Sequence, residues 1–548
     1  MRPTEQQTAI VDYGVQGRDM KVEALAGSGK TSTMVMLGEA LAPRRGLYLA
    51  FNKAIAQEAQ RKFPSSVRAC TVHSLAFRQV GKHYAHRIEG GDAGRLTPMR
   101  LVHHYHYSSL GGITPLTRAG LVKSAVSTYL NSDDLEVESK HLPWAELTRI
   151  SFARQWSPAD VDAVGEALIS DARRLWSDML SEHSGLPMSH DGYLRLFVDS
   201  SPDLGVDFIT LDEAQDASDS MVRLLTGQSS QKVLVGDRSQ QIYGWRGAVD
   251  VMQRLDMHTM YLSQSFRFDN RIAGAANEVL RHLQSPVLMR GTEADRSGLA
   301  GRALLYRTNA GVFGALMSRG IGRHRQKAYV EGGVGDLRKM LDAVEQLQRG
   351  QPTMQPDFIG FADWDEVQEA AESYGAPPEL KLVVKVVEKY PMTKLRSVLQ
   401  DADRVREGEA DVVISTAHKA KGREWAEVGI GDDFQLPEKN PLTEESPMNP
   451  EESRLNYVAL TRAQRQLYGA KEMVTSYLAR NKVESQLSEI NALPAAERVS
   501  RKLGLAPGVS SSPDRLEKFL AHLDDEEREA FGGTAKTMLR RTAPAPGL

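Results

Sequence analysis

Cysteine is almost missing from this chain: Cys70 is the only one in 548 residues. That excludes a disulfide framework, a Cys-rich zinc module and an iron–sulfur cluster held by four thiolates, and it fits a reducing compartment. Long apolar runs are missing too. None could span a bilayer, and the opening "MRPTEQQTAI" has no signal-peptide apolar core, so no membrane partner is expected. An excess of one charge sign is also lacking: 68 Lys and Arg against 71 Asp and Glu leave a net charge of −3. Bulk charge therefore does not announce nucleic acid, although a local basic channel on a near-neutral whole stays compatible. The apolar content of 41% and charged content of 25% are those of a globular protein, and 548 residues exceed one core, so two to four domains are expected.

Two stretches carry chemistry. In "KVEALAGSGKTSTMVMLGEAL" (21–41), a short apolar strand from Val22 to Leu25 enters the small-residue loop Ala26-Gly27-Ser28-Gly29. Lys30-Thr31 then open a helix with Met34, Met36, Leu37 and Leu41 at apolar spacing. This is the phosphate-binding loop pattern, with Ala24 where the first glycine is usual. Glycines let backbone N–H groups curl around phosphate oxygens at the positive end of the helix. Lys30 would reach the β- and γ-phosphates of ATP, and Thr31 would give its hydroxyl to Mg²⁺. The plainer alternative is a Gly-rich turn before an ordinary helix.

The second stretch, "FITLDEAQDASD" (208–219), runs an apolar strand into Asp212-Glu213, with Gln215 and Asp216 just beyond. Adjacent carboxylates repel and resist burial, so a divalent metal is the expected compensation. Asp212, ending the strand, would hold Mg²⁺, and Glu213 would polarise the attacking water. Taken alone, a strand running into a solvated turn explains this stretch equally well.

Further motifs follow in order: "RPTEQQTAI" (2–10), "YLAFNKAIAQEA" (48–59), "TVHSL" (71–75), "DEAQD" (212–216) and "VGDRSQQIYGWRGA" (235–248). After them come "LSQSFRF" (262–268), "LLYRTNAG" (304–311), "VVISTAHKAKGREWAEVGIGDD" (412–433) and "EESRLNYVALTRAQRQLY" (451–468). Together with the phosphate-binding loop they resemble the UvrD/Rep family of superfamily 1 helicases. "AFNKAIAQEAQRKFP", "QSFRF" and "HKAKGREW" are most similar to the F-box DNA helicases and their prokaryotic or phage relatives.

The resemblance implies an α/β fold of two RecA-like parallel-sheet motor lobes, each interrupted by an inserted, mainly helical subdomain. It implies that Gln6 reads adenine, Phe266 stacks on it and Glu424 contacts the ribose. Gln240 would sense the γ-phosphate, while Arg267 and Arg462 would meet that phosphate from the second lobe. Strand contacts would fall to Phe51, Asn52, His73, Tyr243, Trp245 and His418, with Trp245 stacking on a base. Phe51 departs from the family's F-T-N-K-A pattern by standing one position late. Gln241 replaces a more usual serine, and Arg423 a leucine.

The activity implied is ATP- and Mg²⁺-dependent 3′-to-5′ helicase action on single-stranded and tailed duplex DNA in repair or recombination. Two alternatives stay open: a translocase that strips proteins from single strands, and an ATPase subunit of a larger repair or defence assembly. The expected location is the nucleoid-associated cytoplasm of a bacterial or phage-infected cell.

By domain-size reasoning the first lobe (1A) takes residues 1–78 and 200–256, with a helical insertion (1B) at 79–199. The second lobe (2A) takes 257–325 and 405–475, with a short insertion (2B) at 326–404, and a helical tail covers 476–548. The acidic "HLDDEEREAF" of the tail reads as part of a solvated helical cap or of an element that docks a protein partner. "HHYHYSS" (103–109) places histidines at i and i+3, a spacing open to metal binding or to a turn-rich or DNA-facing surface.

Overall fold

The structure, a computed structural model, describes residues 2–90, 94–181, 183–244, 251–320, 326–351, 353, 355, 358, 361–372, 378–443, 447–506 and 513–531. Trp245 lies outside the described residues.

Six strands form a first parallel sheet: β1 (Met20–Ala24), β2 (Gly46–Ala50), β3 (Val67–Thr71), β4 (Phe208–Asp212), β5 (Gln231–Gly236) and β6 (His258–Leu262). Their spatial order is β3-β2-β4-β5-β1-β6. All five residues of β1, β2 and β4 are buried. Burial on both faces is why these segments read as apolar runs rather than alternations. Five more strands form a second parallel sheet: β7 (Arg302–Tyr306), β8 (Ala328–Val330), β9 (Val412–Thr416), β10 (Trp425–Ile430) and β11 (Ala463–Tyr468), in the order β11-β10-β7-β9-β8. The expected α/β architecture with two parallel sheets is present.

Two strands fall outside the lobes drawn from sequence. β6, placed in the second lobe by the boundary at 256/257, hydrogen bonds to β1 with Val22 opposite Met260. β8, placed in the second insertion, pairs with β9, Tyr329 lying opposite Val413. In both cases long-range pairing, which no local period encodes, decides membership.

Between β3 and β4 the chain forms helices Pro98–Tyr105, Pro115–Asn131, Trp144–Arg154, Pro158–Leu180 and His190–Asp199. Their starts are written locally. Thr97, Thr114, Ser157 and Ser189 each accept a first-turn N–H, and proline follows the first three of these caps. His103 and His104 occupy the exposed last turn of the first of these helices. Among the described residues no group of three or more His, Cys, Asp or Glu could hold a metal.

The insertion has no separate core: Val122, Leu168, Leu175 and Phe197 pack in one cluster with Leu47, Ile209 and Leu211 of the first sheet. The sheet's other face is covered by Ile10, Met34, Leu37 and Phe63. In the second half, Phe313, Leu341 and Leu399 pack against Val330 and Ile414. On the opposite face Ile272, Tyr457 and Tyr477 meet Ala303 and Val428, and Leu25, Ala26 and Ile242 of the first lobe join that cluster. The tail packs through Leu442, Phe519 and Leu523. Its acidic stretch is not wholly solvated, since fully buried Glu527 takes Lys502 at 2.7 Å and Arg498 at 2.8 Å. No described helix is long and apolar enough to cross a membrane.

Candidate active site and nucleic-acid interface

In parallel α/β sheets ligands bind beyond the carboxyl ends of the strands. The loops leaving β1, β4 and β5 meet there. Helix Lys30–Leu41 begins behind Gly29, which has φ 80° and no side chain to cap the first turn. Its leading N–H groups are thus offered to an anion. Gly27 has φ 72°, and a Cβ on it would stand 2.6 Å from the Arg267 Cβ and 2.7 Å from Ser265 Oγ. Glycine is required there on both counts. Buried Ser28 Oγ has no hydrogen-bond partner among the described residues, as a loop shaped to receive phosphate oxygens would leave it. Ala26 N–H is already used, donating to the Tyr457 hydroxyl at 3.1 Å.

Opposite the loop stand the paired acids. Glu213 sits at φ 52°, a conformation uncommon outside glycine, which turns its carboxylate onto Lys30 Nζ at 2.7 Å. Burial opposes ionisation of Glu213, but Lys30 and then Lys421 outweigh it and hold the carboxyl down at about 2. Burial also works to lower the Lys30 ammonium, and Glu213, Asp212 and Asp237 together raise it instead. Asp212 is different: burial and then the Glu213 charge push its carboxyl up. Two protein donors reach it. Glu213 N–H meets Oδ1 at 3.0 Å, and the Tyr48 hydroxyl donates to Oδ2.

Thr31 and Asp212 both line the same cavity of about 240 Å³, along with Lys30, Glu213, Gln240, Arg267, Lys421 and Arg462. A hydroxyl and one carboxylate do not cage a cation. They do suit Mg²⁺, which keeps waters and takes most of its remaining ligands from substrate phosphates. The residues present therefore fit Mg²⁺ with a nucleotide.

Gln215 links this acid pair to the next strand. Its Nε2 donates to Glu213 Oε2 at 2.6 Å and its Oε1 accepts Asp237 N–H at 3.0 Å. Asp237 Oδ2 in turn accepts Gln240 Nε2 at 2.6 Å and the Tyr457 hydroxyl at 3.1 Å. From the second lobe, Arg462 Nη2 donates to Gln240 Oε1 at 3.2 Å. Burial, then the Arg267 charge, lower the Arg462 guanidinium to about 9. Arg267 pairs with Glu424 at 2.6 Å and donates to the Thr461 carbonyl at 2.9 Å. Glu424 also accepts Gln464 Nε2 at 2.7 Å.

A second cavity of about 610 Å³ continues along the loop, lined by Ser28, Gly29, Phe266, Arg296 and Glu424. Phe266 is held over the loop by its N–H to the Gly27 carbonyl at 2.8 Å. Gln6 is tied to Ser263, donating to its Oγ at 3.0 Å and accepting its N–H at 2.9 Å. Sequence reasoning passed over its neighbour. Gln7 is buried, donates to Thr33 Oγ1 at 3.1 Å, and lies 3.2 Å from where a Gly29 Cβ would be. Its signal was readable, because Thr4 and Gln7 form a capping box that fixes the helix rotation.

Of the residues expected on the strand, Phe51 is half exposed and stacks with Tyr243, ring centres 6.3 Å apart and planes 5° from parallel. Lys421 Nζ lies 5.0 Å from the Tyr243 ring centre, ion-pairs with Asp216 and donates to the Gln240 carbonyl at 2.6 Å. The Tyr243 hydroxyl donates to the His418 carbonyl at 3.3 Å. Asn52 and His73 have other work in the structure. Asn52 caps helix Lys53–Lys62 by accepting Ile55 N–H at 2.9 Å, and His73 Nε2 lies 3.0 Å from Asp191 Oδ1 in the insertion. Phe51, His73 and Tyr243 line a third cavity of about 760 Å³, between the first lobe and the insertion.

Known proteins show the same division. Residues 6–246 match the sequence profile of an AAA domain, and residues 373–471 that of the UvrD-like helicase C-terminal domain. The chain is 30% identical over 500 residues to F-box DNA helicase 1 of Gallus gallus, covering 84% of this chain and 48% of that protein. It is 26% identical over 514 residues to F-box DNA helicase protein 1 of Schizosaccharomyces pombe, covering 85% of this chain and 57% of the other. Over 85 residues, 14% of this chain and 12% of the relative, it is 39% identical to ATP-dependent DNA helicase PcrA of Staphylococcus epidermidis. The chain thus spans about half the length of the two F-box helicases it matches. With two parallel sheets, a phosphate-binding loop and the paired acids between them, it belongs to the UvrD-like family of superfamily 1 helicases.

Proposed function

We propose that the protein is an ATP- and Mg²⁺-dependent DNA helicase that translocates 3′ to 5′ on single strands and serves repair or recombination. One observation carries the reading: Phe51, Tyr243 and Asp216 line both the nucleotide-side cavity and the cavity against the insertion. Such a shared wall would let a change on one side bear on the other. Mg²⁺ held by Thr31 and Asp212 would supply charge neutralisation on the phosphates. The chain's own residues do the rest. Lys30 exchanges Glu213 for phosphate oxygens, which frees the Glu213 carboxylate, already ionised, to take a proton from water. Gln240 and Arg462, bonded across the lobes, register the γ-phosphate together. Arg267 joins them on leaving Glu424, which then meets the ribose, while Phe266 stacks on the base with Gln6 and Gln7 at its edge.

The domain division follows the sequence reading, with the first lobe extended past Leu262 and the second past Val330. Polarity and pathway rest on the family resemblance, and the relatives' names support DNA as the track.

The test is ATP-driven strand separation on two matched duplexes, one with a 3′ and one with a 5′ single-stranded tail, using Lys30→Ala as control. Unwinding of the 3′-tailed duplex alone is expected. Unwinding from the 5′ tail overturns the polarity. No unwinding of either, with strand-stimulated hydrolysis intact, replaces the helicase by a protein-stripping translocase.

A further inference from the structure

Arg423 stands where the family more often has leucine, and the structure gives its side chain two partners. It lies between β9 and β10, directly before Glu424 and Trp425. Its Nη1 donates to Glu331 and its Nη2 to Glu407. The same guanidinium lies 5.3 Å from the Trp425 ring centre. The two acids mark the two stems of the second insertion. Glu331 follows β8, and Glu407 opens the turn Glu407–Glu409 ahead of β9. Between them come helices Gly335–Gln348, Trp364–Glu372, Pro378–Lys389 and Met392–Asp403. Lys419, from the same loop as Arg423, adds a third tie by pairing at 2.9 Å with Asp336 in the first turn of Gly335–Gln348. A planar guanidinium fork suits two carboxylates arriving from different directions, whereas leucine offers neither a bond nor a charge.

The same short segment holds the nucleotide arginines. The Arg423 carbonyl accepts Arg462 Nη1 at 3.4 Å, and Trp425 N–H donates to the Arg462 carbonyl at 3.1 Å. Glu424, between them, pairs with Arg267 at 2.6 Å. Three consecutive residues thus fix both arginines. The Arg423 and Glu407 side chains are 31% and 45% exposed, and ion pairs this open add little to stability. What they fix is the place of the segment, and with it that of Arg462 and Arg267. We propose that Arg423 is a positioning residue for this arginine pair, anchoring residues 423–425 to both stems of the second insertion. The proposal rests on the reading of the protein as an ATP-hydrolysing motor, and it adds a residue that acts on the reaction only through others.

Arg423→Leu, and the double variant Glu331→Gln with Glu407→Gln, are compared with the parent in steady-state hydrolysis at saturating oligothymidylate. Equilibrium binding of Mg²⁺-ADP is measured with and without aluminium fluoride, which mimics the phosphoryl group in transfer. A small misplacement of a reacting group costs on the order of 100-fold in rate, so kcat should fall about 10- to 100-fold in either variant. Affinity for ADP should hold, while affinity for the ADP–aluminium fluoride mimic should fall with kcat, because the mimic engages groups aimed at the transition state. Combining all three substitutions should add little to either loss, and Arg423→Lys, which keeps the charge, should recover part of it. Thermal melting shows whether each variant is folded. Equal losses for ADP and for the mimic would make Arg423 a structural residue only and overturn the proposal. An unchanged kcat in folded Arg423→Leu, or losses that add in the combined variant, overturn it as well. A parent protein that hydrolyses no ATP, with or without oligothymidylate, overturns the motor reading and the proposal with it.

Discussion

Tyr48→Phe isolates a single interaction at the acid pair. Tyr48 is 1% exposed, and its hydroxyl donates to Asp212 Oδ2 with the Thr31 hydroxyl beside it. It therefore touches both proposed Mg²⁺ ligands from inside the sheet. The substitution removes one oxygen and leaves the ring against Phe63, whose centre is 4.7 Å away. Asp212 keeps only its bond from Glu213 N–H, so a buried carboxylate oxygen loses its protein donor and its fixed orientation. A hydrogen bond to a charged group contributes about 1.5–3 kcal/mol. At about 1.4 kcal/mol per tenfold that is roughly 10- to 150-fold, in line with the 10- to 100-fold loss in metal affinity usual when an outer partner of a metal ligand is removed. The assay is Mn²⁺ binding followed by electron paramagnetic resonance in the presence of ADP. Affinity for a fluorescent nucleotide without metal serves as the control. Mn²⁺ affinity should fall by that factor while metal-free nucleotide binding holds. Unchanged Mn²⁺ affinity, or equal losses in both measurements, refutes the positioning role of Tyr48.

Other perturbations follow from the same geometry. Gly27→Ala should cost at least tenfold in nucleotide affinity, read by equilibrium binding, because the new Cβ meets Arg267 at 2.6 Å in a left-handed conformation. Glu213→Gln should preserve nucleotide binding and stall turnover, and full turnover in a hydrolysis assay would remove Glu213 from its role. Burial holds the Asp216 carboxyl up at about 6 despite Lys421. As pH falls through about 6 the charge of the inter-lobe pair is lost, so strand-stimulated hydrolysis should decline there. Because the folded value is the raised one, this group's contribution to stability is full below about pH 4 and is lost as pH rises through about 6. Thermal melting should therefore show no acid loss from Asp216 over that window, and Asp216→Asn should flatten the activity limb.

Much of the site was legible because the chemistry is local. A glycine-bounded loop between an apolar strand and a helix can be read from residues 21–41, and so can an apolar strand ending in two acids. The helix starts of the insertion were legible for the same reason, since Thr or Ser followed by Pro is a short-range device. What escaped was long-range. Tyr48 looks like one more buried residue of a strand, and nothing near it says that its hydroxyl meets a carboxylate 164 positions away. Tyr457 likewise reads as helix core, yet its hydroxyl joins the phosphate-binding loop to Asp237 across the lobes. "HTMYL" carries no mark of which sheet will take it, and β1 decides the matter. His73 and Asn52 were assigned to the strand by motif position, and nothing near them announced that they also meet Asp191 and a helix end.

The core that runs without a break from Leu47 and Ile209 into Leu168 and Phe197 has a mechanical consequence. The helices between β3 and β4 cannot swing as a flap, because separating them from the sheet would strip both of their apolar cover. They are a stiff arm welded to the first lobe. Were the two sheets to rotate against each other, that arm would sweep with the first, carrying its own side of the groove along. In such a rotation, spacings within this half would hold while those across the cleft would change.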